Sequence, residues 1–318
     1  MEHRIGFVGA GDVVRKAYLP ALASRVGCHI KAISSRSMLS AGKLAAQYGI
    51  ERVFGGYEEL VGQDDIDTVF ICTPPYLHSQ IAEATMQGSK NVLIEKPLCT
   101  NYQAGRSLLQ RARTYARTFY VASNNYFREE NQWLKSQVID GEVGNIEVID
   151  FEWYRRRRYE DKSWLYNPAL SGGGVLMDLG YHMIHLALSL IPQRVRFAAL
   201  CKNLRHEWQS GVESTATSMI TVDDKITILL KLGWDMNLPT RSRVVLRVYG
   251  DKACLSNQDY QGNKTEGFSR MVDDFFRHIE ARVVPDLGLI EDTMLLLDAL
   301  YEADRSQSII RGEFCVAR

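Results

Sequence analysis

The sequence has no excess charge of either sign, no paired-cysteine motif and no long apolar run. Lys and Arg together number 38, as do Asp and Glu, so the formal net charge is zero. Zero net charge provides no general attraction to nucleic-acid phosphates or anionic lipids, so we expect neither nucleic-acid nor membrane partners. The six cysteines show no CxxC spacing, a pattern that favours reduced thiols over a disulfide framework or a zinc site.

Membrane insertion and secretion are both unexpected. No apolar run approaches the ~20 residues that cross a bilayer, and the N-terminal segment MEHRIGFVGAG enters a strand-like run without a signal-peptide pattern. We therefore expect a cytoplasmic protein. With 318 residues, 46% of them hydrophobic and 24% charged, the chain is long enough for two globular domains.

Residues 1–123 alternate between short apolar runs and amphipathic runs of helical length. This alternation predicts parallel strands joined by helical crossovers, hence a doubly wound α/β sheet. Pro20 falls within the predicted first helix, which we therefore expect to be kinked or split. The predicted strands are Arg4–Val8, His29–Ser34, Thr68–Cys72, Val92–Glu95 and Phe119–Ser123, and the predicted helices are Leu39–Tyr48, Leu77–Gln87 and Tyr102–Thr118.

In residues 124–318, strand-like runs follow one another. This succession predicts an α+β domain with a large, mostly antiparallel open sheet, in which Asp223-Asp224 forms a tight hairpin turn. We expect this open sheet to support a homodimer or homotetramer. The predicted strands are Ile146–Tyr154, Val195–Asn203, Ser214–Val222, Ile226–Leu232 and Arg243–Tyr249, and the predicted helices are Glu130–Ile139, Met177–Leu190, Gly267–Arg282 and Leu289–Ser306.

A dinucleotide-binding loop is predicted directly after the first strand, in the GAGDVV run of residues 9–14. Gly9 permits a tight turn, and Gly11 lets a pyrophosphate approach the backbone where a helix begins with Asp12 and Val13. Val14 occupies the position of the third glycine of the full fingerprint. The alternative is a tight turn that binds no ligand.

The end of the second predicted strand indicates which dinucleotide is bound. An acidic residue normally accepts the ribose hydroxyls of NAD at this place. Here Ser35 and Arg36 follow the strand instead, and a guanidinium can pair with a 2′-phosphate. We therefore favour NADP over NAD. The alternative is that Ser37 is only a helix N-cap and that Arg36 is solvated.

Five segments taken together form a more specific pattern than any of them alone. They are the GAGDVV run of residues 9–14, Thr73-Pro74-Pro75-Tyr76-Leu77-His78, Glu95-Lys96-Pro97, Asn124-Asn125-Tyr126-Phe127 and the SGGGVLMDLGYH run of residues 171–182. In order and content they resemble the glucose-fructose oxidoreductase/inositol dehydrogenase/MocA (Gfo/Idh/MocA) family. The resemblance implies a Rossmann domain followed by a catalytic domain, with hydride transfer between nicotinamide C4 and a secondary alcohol or its ketone.

The resemblance implies a catalytic set of Lys96, Asp178 and His182. A carboxylate four residues before an imidazole shares its helix face and favours its protonated form, so His182 is suited to exchange a proton with the substrate oxygen. Lys96 ends a parallel strand, where its ammonium can stabilise developing alkoxide charge. The cofactor contacts implied outside the glycine loop are Thr73, Pro74, His78, Glu95 and Lys96.

The substrate implied by the resemblance is a sugar, a sugar nucleotide or a cyclitol. Aromatic faces suit the C–H surface of a sugar ring, although the same rings also serve as ordinary core or interface packing. In the basic run of residues 155–158, only two side chains can point inward from a strand, either toward a substrate anion or into an interface. The candidate substrate residues are Lys96, Asn124, Tyr126, Trp153, Arg156, Trp164, Asp178 and His182, with Tyr154 and Tyr166 nearby in sequence.

Other interpretations of these residues stay open. His185 beside Asp178 and His182 permits a metal site, but we expect no metal, because hydride transfer requires none and a packed helix residue explains His185. The glycines of residues 172–174 let the backbone pass close to a ligand or a neighbouring strand. The competing functions are a non-catalytic NAD(P)-binding regulatory protein and a reductase of an imine, biliverdin or aromatic diol.

Overall fold

The computed structural model describes residues 2–23, 25–156, 163–191, 193–204, 211–234, 236–264 and 267–314. The chain divides into two compact units. The first unit comprises Met1–Cys99, Ala104–Asn124 and Glu266–Leu287, and the second comprises Thr100–Gln103, Asn125–Thr265 and Gly288–Arg318. The domain boundary predicted between residues 123 and 124 stays a prediction.

The first unit contains a six-stranded parallel sheet in the order β3-β2-β1-β4-β5-β6. This order confirms the predicted doubly wound sheet, and it reverses direction between β1 and β4, where ligands bind at the carboxyl ends of such strands. The strands are β1 (His3–Val8), β2 (Cys28–Ser34), β3 (Arg52–Phe54), β4 (Thr68–Ile71), β5 (Asn91–Ile94) and β6 (Phe119–Val121).

The helices lie close to their predicted positions, with two short additions, α3 and α7. The first predicted helix is not split at Pro20, because the helical run is continuous through it; a π-helical turn over Val14–Tyr18 leads directly into α1, in which Pro20 is the second residue. The α-helices are α1 (Leu19–Ala23), α2 (Met38–Tyr48), α3 (Tyr57–Val61), α4 (His78–Gln87), α5 (Tyr102–Arg113), α6 (Glu129–Ile139), α7 (Pro168–Ser171), α8 (Tyr181–Leu190), α9 (Phe268–Ala281) and α10 (Leu287–Ser306).

The second unit contains a seven-stranded sheet in the order β12-β11-β7-β10-β9-β8-β13. Only the β7–β10 pair among the described pairs of this sheet is parallel, which confirms the predicted mostly antiparallel sheet. The strands are β7 (Ile146–Arg155), β8 (Arg196–Leu204), β9 (Thr215–Val222), β10 (Ile226–Gly233), β11 (Ser242–Gly250), β12 (Cys254–Ser256) and β13 (Ile310–Glu313).

The turn between β9 and β10 is the predicted hairpin. Asp223 and Asp224 both have positive φ, at 52° and 55°, and the Lys225 N–H donates to the Val222 carbonyl at 3.0 Å. Two positive φ values at the centre of a two-residue turn match the right-handed twist of the flanking strands. Aspartate tolerates this conformation better than most side chains do, which explains why the dipeptide occurs here.

One face of the second sheet is buried and the other is open within this unit. Burial alternates strictly along β8 and β9, as expected for strands with a single covered face. The neighbouring pair Leu200 and Met219 lies on the uncovered face, where 40% and 43% of these residues remain exposed. An open sheet face with apolar side chains is the feature on which the predicted oligomer depends.

Candidate active site

The first glycine of the loop after β1 is required by its own backbone conformation and by close packing against β4. Gly9 has φ of +113°, and a Cβ atom there would lie 2.4 Å from the Cys72 carbonyl oxygen at the end of β4. The Gly9 N–H donates to the Ser34 carbonyl at 2.8 Å, which ties the loop to the end of β2. Gly9 therefore fixes the tight turn on which the rest of the loop is built.

The second glycine has no such role in packing. A Cβ atom at Gly11 would meet no atom of the described residues within 4 Å, so among them the space beside this backbone is open at a helix N-terminus. Asp12 follows, and its carboxylate is bound by Arg15 at 2.7 Å and by Lys16. These hydrogen bonds lower the pKa of Asp12, with Lys16 as the larger cause. The two cations thus offset the only acid of this turn, and the backbone at Gly11, Asp12 and Val13 suits an approaching pyrophosphate.

The segment after β2 carries the residues predicted to select the cofactor. Ser37 is the N-cap of α2, since its side chain accepts from the Ser40 N–H. Ser35 also bonds locally, because its hydroxyl accepts from the Ser37 N–H at 3.1 Å. The side chain of Arg36 is exposed beside them. The alternative assignment of Ser37 as an N-cap is therefore confirmed, and Arg36 is accessible to a ligand.

His78 lies inside the first unit rather than at its surface. Its Nε2 is 2.8 Å from the Thr73 carbonyl oxygen, and its Nδ1 is 3.1 Å from the carbonyl oxygens of Pro97 and Leu98. Burial lowers the pKa of His78 to about 4. The imidazole therefore connects the loop after β4, with Thr73 and Pro74, to the loop after β5.

Glu95 and Lys96 follow β5, where a buried tyrosine positions the acid. The Tyr18 hydroxyl donates to Glu95 Oε1 at 2.5 Å, and the Lys96 N–H donates to Glu95 Oε2 at 3.1 Å. The Tyr18 ring is fixed among Phe70 and Phe268, each 5.4 Å away between ring centroids. Burial, and then the charge of Glu95, raise the pKa of Tyr18. Tyr18 was not predicted as a site residue, and no local pattern indicates its pairing with a residue 77 positions away.

In the second unit, the predicted catalytic pair lies where two types of helix join. Asp178 belongs to a π-helical turn over Leu176–Gly180, and His182 belongs to the first turn of α8. The prediction of a single α-helix over Met177–Leu190 is therefore wrong in its first turn, which is π-helical. The ring of His182 is buried, with its centroid 5.8 Å from that of Trp153.

Strand β7 supplies two side chains to the surroundings of this pair. The Trp153 ring packs near His182, and the Arg155 guanidinium lies over the same ring, 4.5 Å from its centroid. Arg155 Nη1 is also 3.4 Å from Asp178 Oδ2. Trp153, Arg155, Asp178 and His182 therefore form one cluster, which we call the β7–α8 cluster. The prediction included three of these residues and missed Arg155.

Arg156, rather than Arg155, is the predicted substrate residue of the basic run, but its side chain lies outside the β7–α8 cluster. Its side chain is exposed, and Nη1 is 3.4 Å from the Leu238 carbonyl oxygen. Alternation along a strand puts Trp153 and Arg155 on one face and Arg156 on the other. Trp164 is also more than a third exposed. Arg157 and Arg158 lie outside the described residues.

Tyr126 and Asn124 are predicted substrate residues, and His185 is the histidine that raised the metal alternative. Tyr126 contacts Lys135, whose ammonium is 2.5 Å from its hydroxyl, and its ring is perpendicular to that of His185, 5.7 Å away. His185 is buried and stacks on Tyr181, which agrees with a packed helix residue. Asn124 ends the second of the three segments of the first unit and is half-buried.

None of the described His, Cys, Asp and Glu side chains gather in a group of three or more that could hold a metal ion. Within the described ranges, no helix is both long and apolar enough to cross a bilayer.

The glycine run before the π-helical turn is explained by packing in the second unit. A Cβ atom on Gly172, Gly173 or Gly174 would lie 2.4 Å or less from the Thr100 carbonyl oxygen, the Tyr301 hydroxyl or the Glu213 carbonyl oxygen, respectively. The run therefore lets the chain pass close to neighbouring protein groups, which lie on loops and a helix rather than on the neighbouring strand expected from the sequence. Glu213 and Tyr301 were not predicted.

The fold, the glycine loop and the two sets of polar side chains define a dinucleotide-binding oxidoreductase. The family description "Oxidoreductase family, NAD-binding Rossmann fold" matches residues 3–123. A second description, "GFO/IDH/MocA C-terminal domain", matches residues 131–256. The chain belongs to the Gfo/Idh/MocA family of oxidoreductases, which confirms the resemblance seen in its motifs.

Named relatives and a solved structure agree with this assignment. The chain is 25% identical over 232 residues to dTDP-3,4-didehydro-2,6-dideoxy-alpha-D-glucose 3-reductase of Streptomyces antibioticus, covering 73% of this chain and 69% of that protein. It is 26% identical over 265 residues to D-glucoside 3-dehydrogenase of Escherichia coli strain K12, covering 79% and 75%. Among eight curated relatives, the aligned share of their own length ranges from 52% to 75%.

The crystal structure of GenD2 from gentamicin A biosynthesis in complex with NAD has the same fold. It superposes with a TM-score of 0.89 at 17% identity, covering 98% of this chain and 96% of that chain. At this level of identity the likeness concerns the fold alone.

Proposed function

We propose that this oxidoreductase moves a hydride between nicotinamide C4 and a ring carbon of a sugar, a sugar nucleotide or a cyclitol, interconverting a secondary alcohol and its ketone. The observation that carries the proposal is the β7–α8 cluster. It sets a carboxylate and an imidazole beside an indole face, a combination suited to a polyol that needs both proton exchange and an apolar wall.

The chain's own groups have distinct roles in this proposal. When bound, the nicotinamide accepts or donates the hydride. In oxidation, His182 takes the proton of the substrate hydroxyl while the Lys96 ammonium stabilises the developing alkoxide; in reduction, His182 returns the proton to the carbonyl oxygen. Asp178 favours the protonated imidazole. Glu95, bound by Tyr18, positions the Lys96 backbone.

The substrate class is supported by the names of two relatives. The protein of Streptomyces antibioticus is named as a 3-reductase of a didehydro sugar nucleotide, and that of Escherichia coli as a glucoside 3-dehydrogenase. The two names describe reduction and oxidation at ring position 3 of a hexose. We propose the same type of reacting carbon here, with ketone reduction as the favoured direction.

We further propose that NADP is preferred to NAD. No acidic residue follows β2, and the exposed Arg36 is available for a 2′-phosphate. Replacing Arg36 by Ala should weaken NADPH binding by about tenfold or more, the value of one charge-assisted bond. NADH serves as the internal control, because it lacks the phosphate. Equal losses for both cofactors, or none for NADPH, would contradict the preference.

A panel of keto-sugars and cyclitols with NADPH, followed by absorbance at 340 nm, tests the reaction itself. Lys96→Ala and His182→Ala should each abolish turnover while NADPH affinity stays nearly unchanged, because both groups act on the substrate oxygen. Turnover of an aromatic diol or an imine instead would replace the substrate class. Cofactor binding without turnover of any of these compounds would favour a regulatory protein.

The open face of the second sheet supports a homo-oligomer. Leu200 and Met219 are paired across strands β8 and β9 and are exposed, and a second copy of the same face would cover them. Light scattering should give a dimer or tetramer for the native chain and a monomer for Leu200→Glu/Met219→Glu. A strictly monomeric native chain would contradict this proposal.

A further inference from the structure

We propose that Glu213 is a positioning residue for Asp178 and His182. Its carboxylate is buried, and in this proposal it holds the start of the helix that carries both residues. The inference rests on the proposed function for its kinetic consequence, but its structural consequence can be measured without turnover.

The carboxylate of Glu213 binds the backbone directly before the π-helical turn. Both of its oxygens lie 3.0 Å from the Gly174 N–H, and Oε1 also accepts from the Leu176 N–H at 2.9 Å. These donors belong to the unsatisfied N–H groups at a helix N-terminus, where a negative charge is stabilised. The Glu213 carbonyl oxygen accepts a further bond from the Val175 N–H at 3.0 Å.

A tyrosine on α10 completes this site. The Tyr301 hydroxyl donates to Glu213 Oε1 at 2.8 Å and accepts from the Met177 N–H at 3.1 Å. Tyr301 therefore binds both the carboxylate and the turn that the carboxylate holds. The separation of 88 residues between Glu213 and Tyr301 shows that the tertiary fold assembles this pair.

The glycine run is independent support for this site. A Cβ atom on Gly173 would lie 1.9 Å from the Tyr301 hydroxyl, and one on Gly174 would lie 2.0 Å from the Glu213 carbonyl oxygen. The close approach of both partners thus requires glycine at these two positions. These two glycines therefore pack against Tyr301 and Glu213.

Gly174 connects this site to the backbone of the candidate catalytic residue Asp178. Gly174 gives its N–H to Glu213, and its carbonyl oxygen accepts from the Asp178 N–H at 2.9 Å. A shift at Gly174 is therefore passed directly to Asp178 and along the same helix to His182. Misplacement of about 1 Å by a residue remote from the chemistry costs about 10²-fold in rate.

The charge of Glu213 matters because every neighbour that it binds is a donor. Burial raises the pKa of Glu213, whereas the bonds from Tyr301 and from the backbone lower it. A carboxylate accepts from all of these donors. A glutamine of the same length presents an NH2 group to one of them, which leaves two donors facing each other in a buried place.

The test compares Glu213→Gln and Tyr301→Phe with a matched control, Tyr260→Phe. Tyr260 donates to Glu129 at 2.7 Å in the same unit, so the control removes the same kind of bond away from the turn. Imidazole NMR signals of histidine-labelled protein are recorded from pH 5 to 9, with the His182 signal assigned from its loss in His182→Gln. Turnover of the best substrate and NADPH affinity are measured for each variant.

The proposal predicts that Glu213→Gln and Tyr301→Phe shift the titration of His182 and lower kcat by about 10²-fold and tenfold, respectively, with NADPH affinity unchanged. The double variant should be no worse than Glu213→Gln alone, because both changes act through one carboxylate. The control should change neither readout. An unchanged His182 titration and unchanged kcat in folded variants would overturn the inference.

The two readouts separate this inference from the proposed function. If the native chain turns over no sugar, cyclitol or ketone while the His182 titration shifts only in the Glu213 and Tyr301 variants, the proposed function fails and the positioning role stands. If Glu213→Gln does not fold, Tyr301→Phe gives the decisive result, since it keeps the buried charge.

Discussion

Arg155 holds Asp178, with Nη1 of the first residue 3.4 Å from Oδ2 of the second. The same guanidinium lies over the Trp153 ring, so it is positioned from two sides. The carboxylate that is proposed to act on His182 is thus already in contact with a cation from β7. The position of the Asp178 carboxylate therefore depends on the conformation of β7 at its C-terminal end.

The neighbouring arginines form a matched pair for testing this contact. Arg155→Ala should lower kcat by tenfold to hundredfold, about 1.4–2.7 kcal/mol, because it removes the ion pair with Asp178 and the guanidinium over the Trp153 ring. Arg156→Ala should have little effect, since its side chain is exposed and its guanidinium contacts the Leu238 carbonyl oxygen rather than Asp178. Steady-state kinetics with one substrate compares both variants. A larger loss for Arg156→Ala would show that the sequence-based choice of Arg156 was the better one.

The two glycines of the first loop should respond oppositely to alanine. Gly9→Ala forces a Cβ atom to 2.4 Å from the Cys72 carbonyl oxygen at a φ of +113°, so it should lower the free energy of unfolding by more than ~1 kcal/mol. The Cβ atom of Gly11→Ala meets no atom in the described part of the chain, and the change should leave stability unchanged. It should nevertheless weaken NADPH binding by about tenfold, as measured by fluorescence titration. Full affinity in Gly11→Ala would contradict a pyrophosphate at this backbone.

Acid should destabilise the first unit through His78. Its pKa is about 4 in the folded chain because it is buried, whereas an unfolded histidine takes up its proton near pH 6.5. Between these values the unfolded state binds more protons, so this contribution is complete above about pH 6.5 and is lost as the pH falls towards 4. The difference in free energy of unfolding between the native chain and His78→Gln should therefore fall by about 3 kcal/mol over this window.

Urea unfolding at several pH values checks this prediction. His29→Gln is the matched control, because it removes an exposed imidazole from the same unit. A pH-independent difference for His78→Gln would mean that His78 is not neutral in its contacts with the loops after β4 and β5.

The C-terminal end of α8 is held by a buried ion pair. Arg194 binds the Ile191 carbonyl oxygen at 2.8 Å and pairs with Asp292 at 2.6 Å, with side-chain exposures of 10% and 0%. Asp292→Ala leaves a buried guanidinium without its main partner and should cost about 3–5 kcal/mol. Glu302→Ala, which breaks an exposed pair with Arg305 on the same helix, should cost ~1 kcal/mol or less. Equal losses in chemical unfolding would contradict this assignment.

Most of the fold was predictable because its elements follow simple periodicities. Strands such as β4 and β5 are buried at every residue and therefore appear as uninterrupted apolar runs. Strand β3 was missed because it has three half-buried residues, too few to form a pattern. The π-helical turn before α8 was also missed, since the apolar spacing of the segment does not distinguish it from an α-helical turn.

Within the site, residues identified by motif were predictable, and residues identified by contact were not. Alternation along β7 from Trp153 selects Arg155 rather than Arg156, so the sequence does contain a signal for this residue. The partners of Glu95 and of the glycine run, Tyr18 and Glu213, are set by tertiary contacts between distant segments. Only the glycines at 173 and 174 gave a sign in the sequence that some group approaches closely there.

Transfer of deuterium from C4-labelled NADPH to a substrate tests the central claim most directly. The account predicts that the label appears on the ring carbon that bears the new hydroxyl of a reduced keto-sugar or keto-cyclitol, as read by NMR of the product. It also predicts that no label is transferred in Lys96→Ala or His182→Ala, although both variants still bind NADPH. Label transfer that persists in both variants, or bound NADPH that delivers no label to any such ketone, would contradict the account.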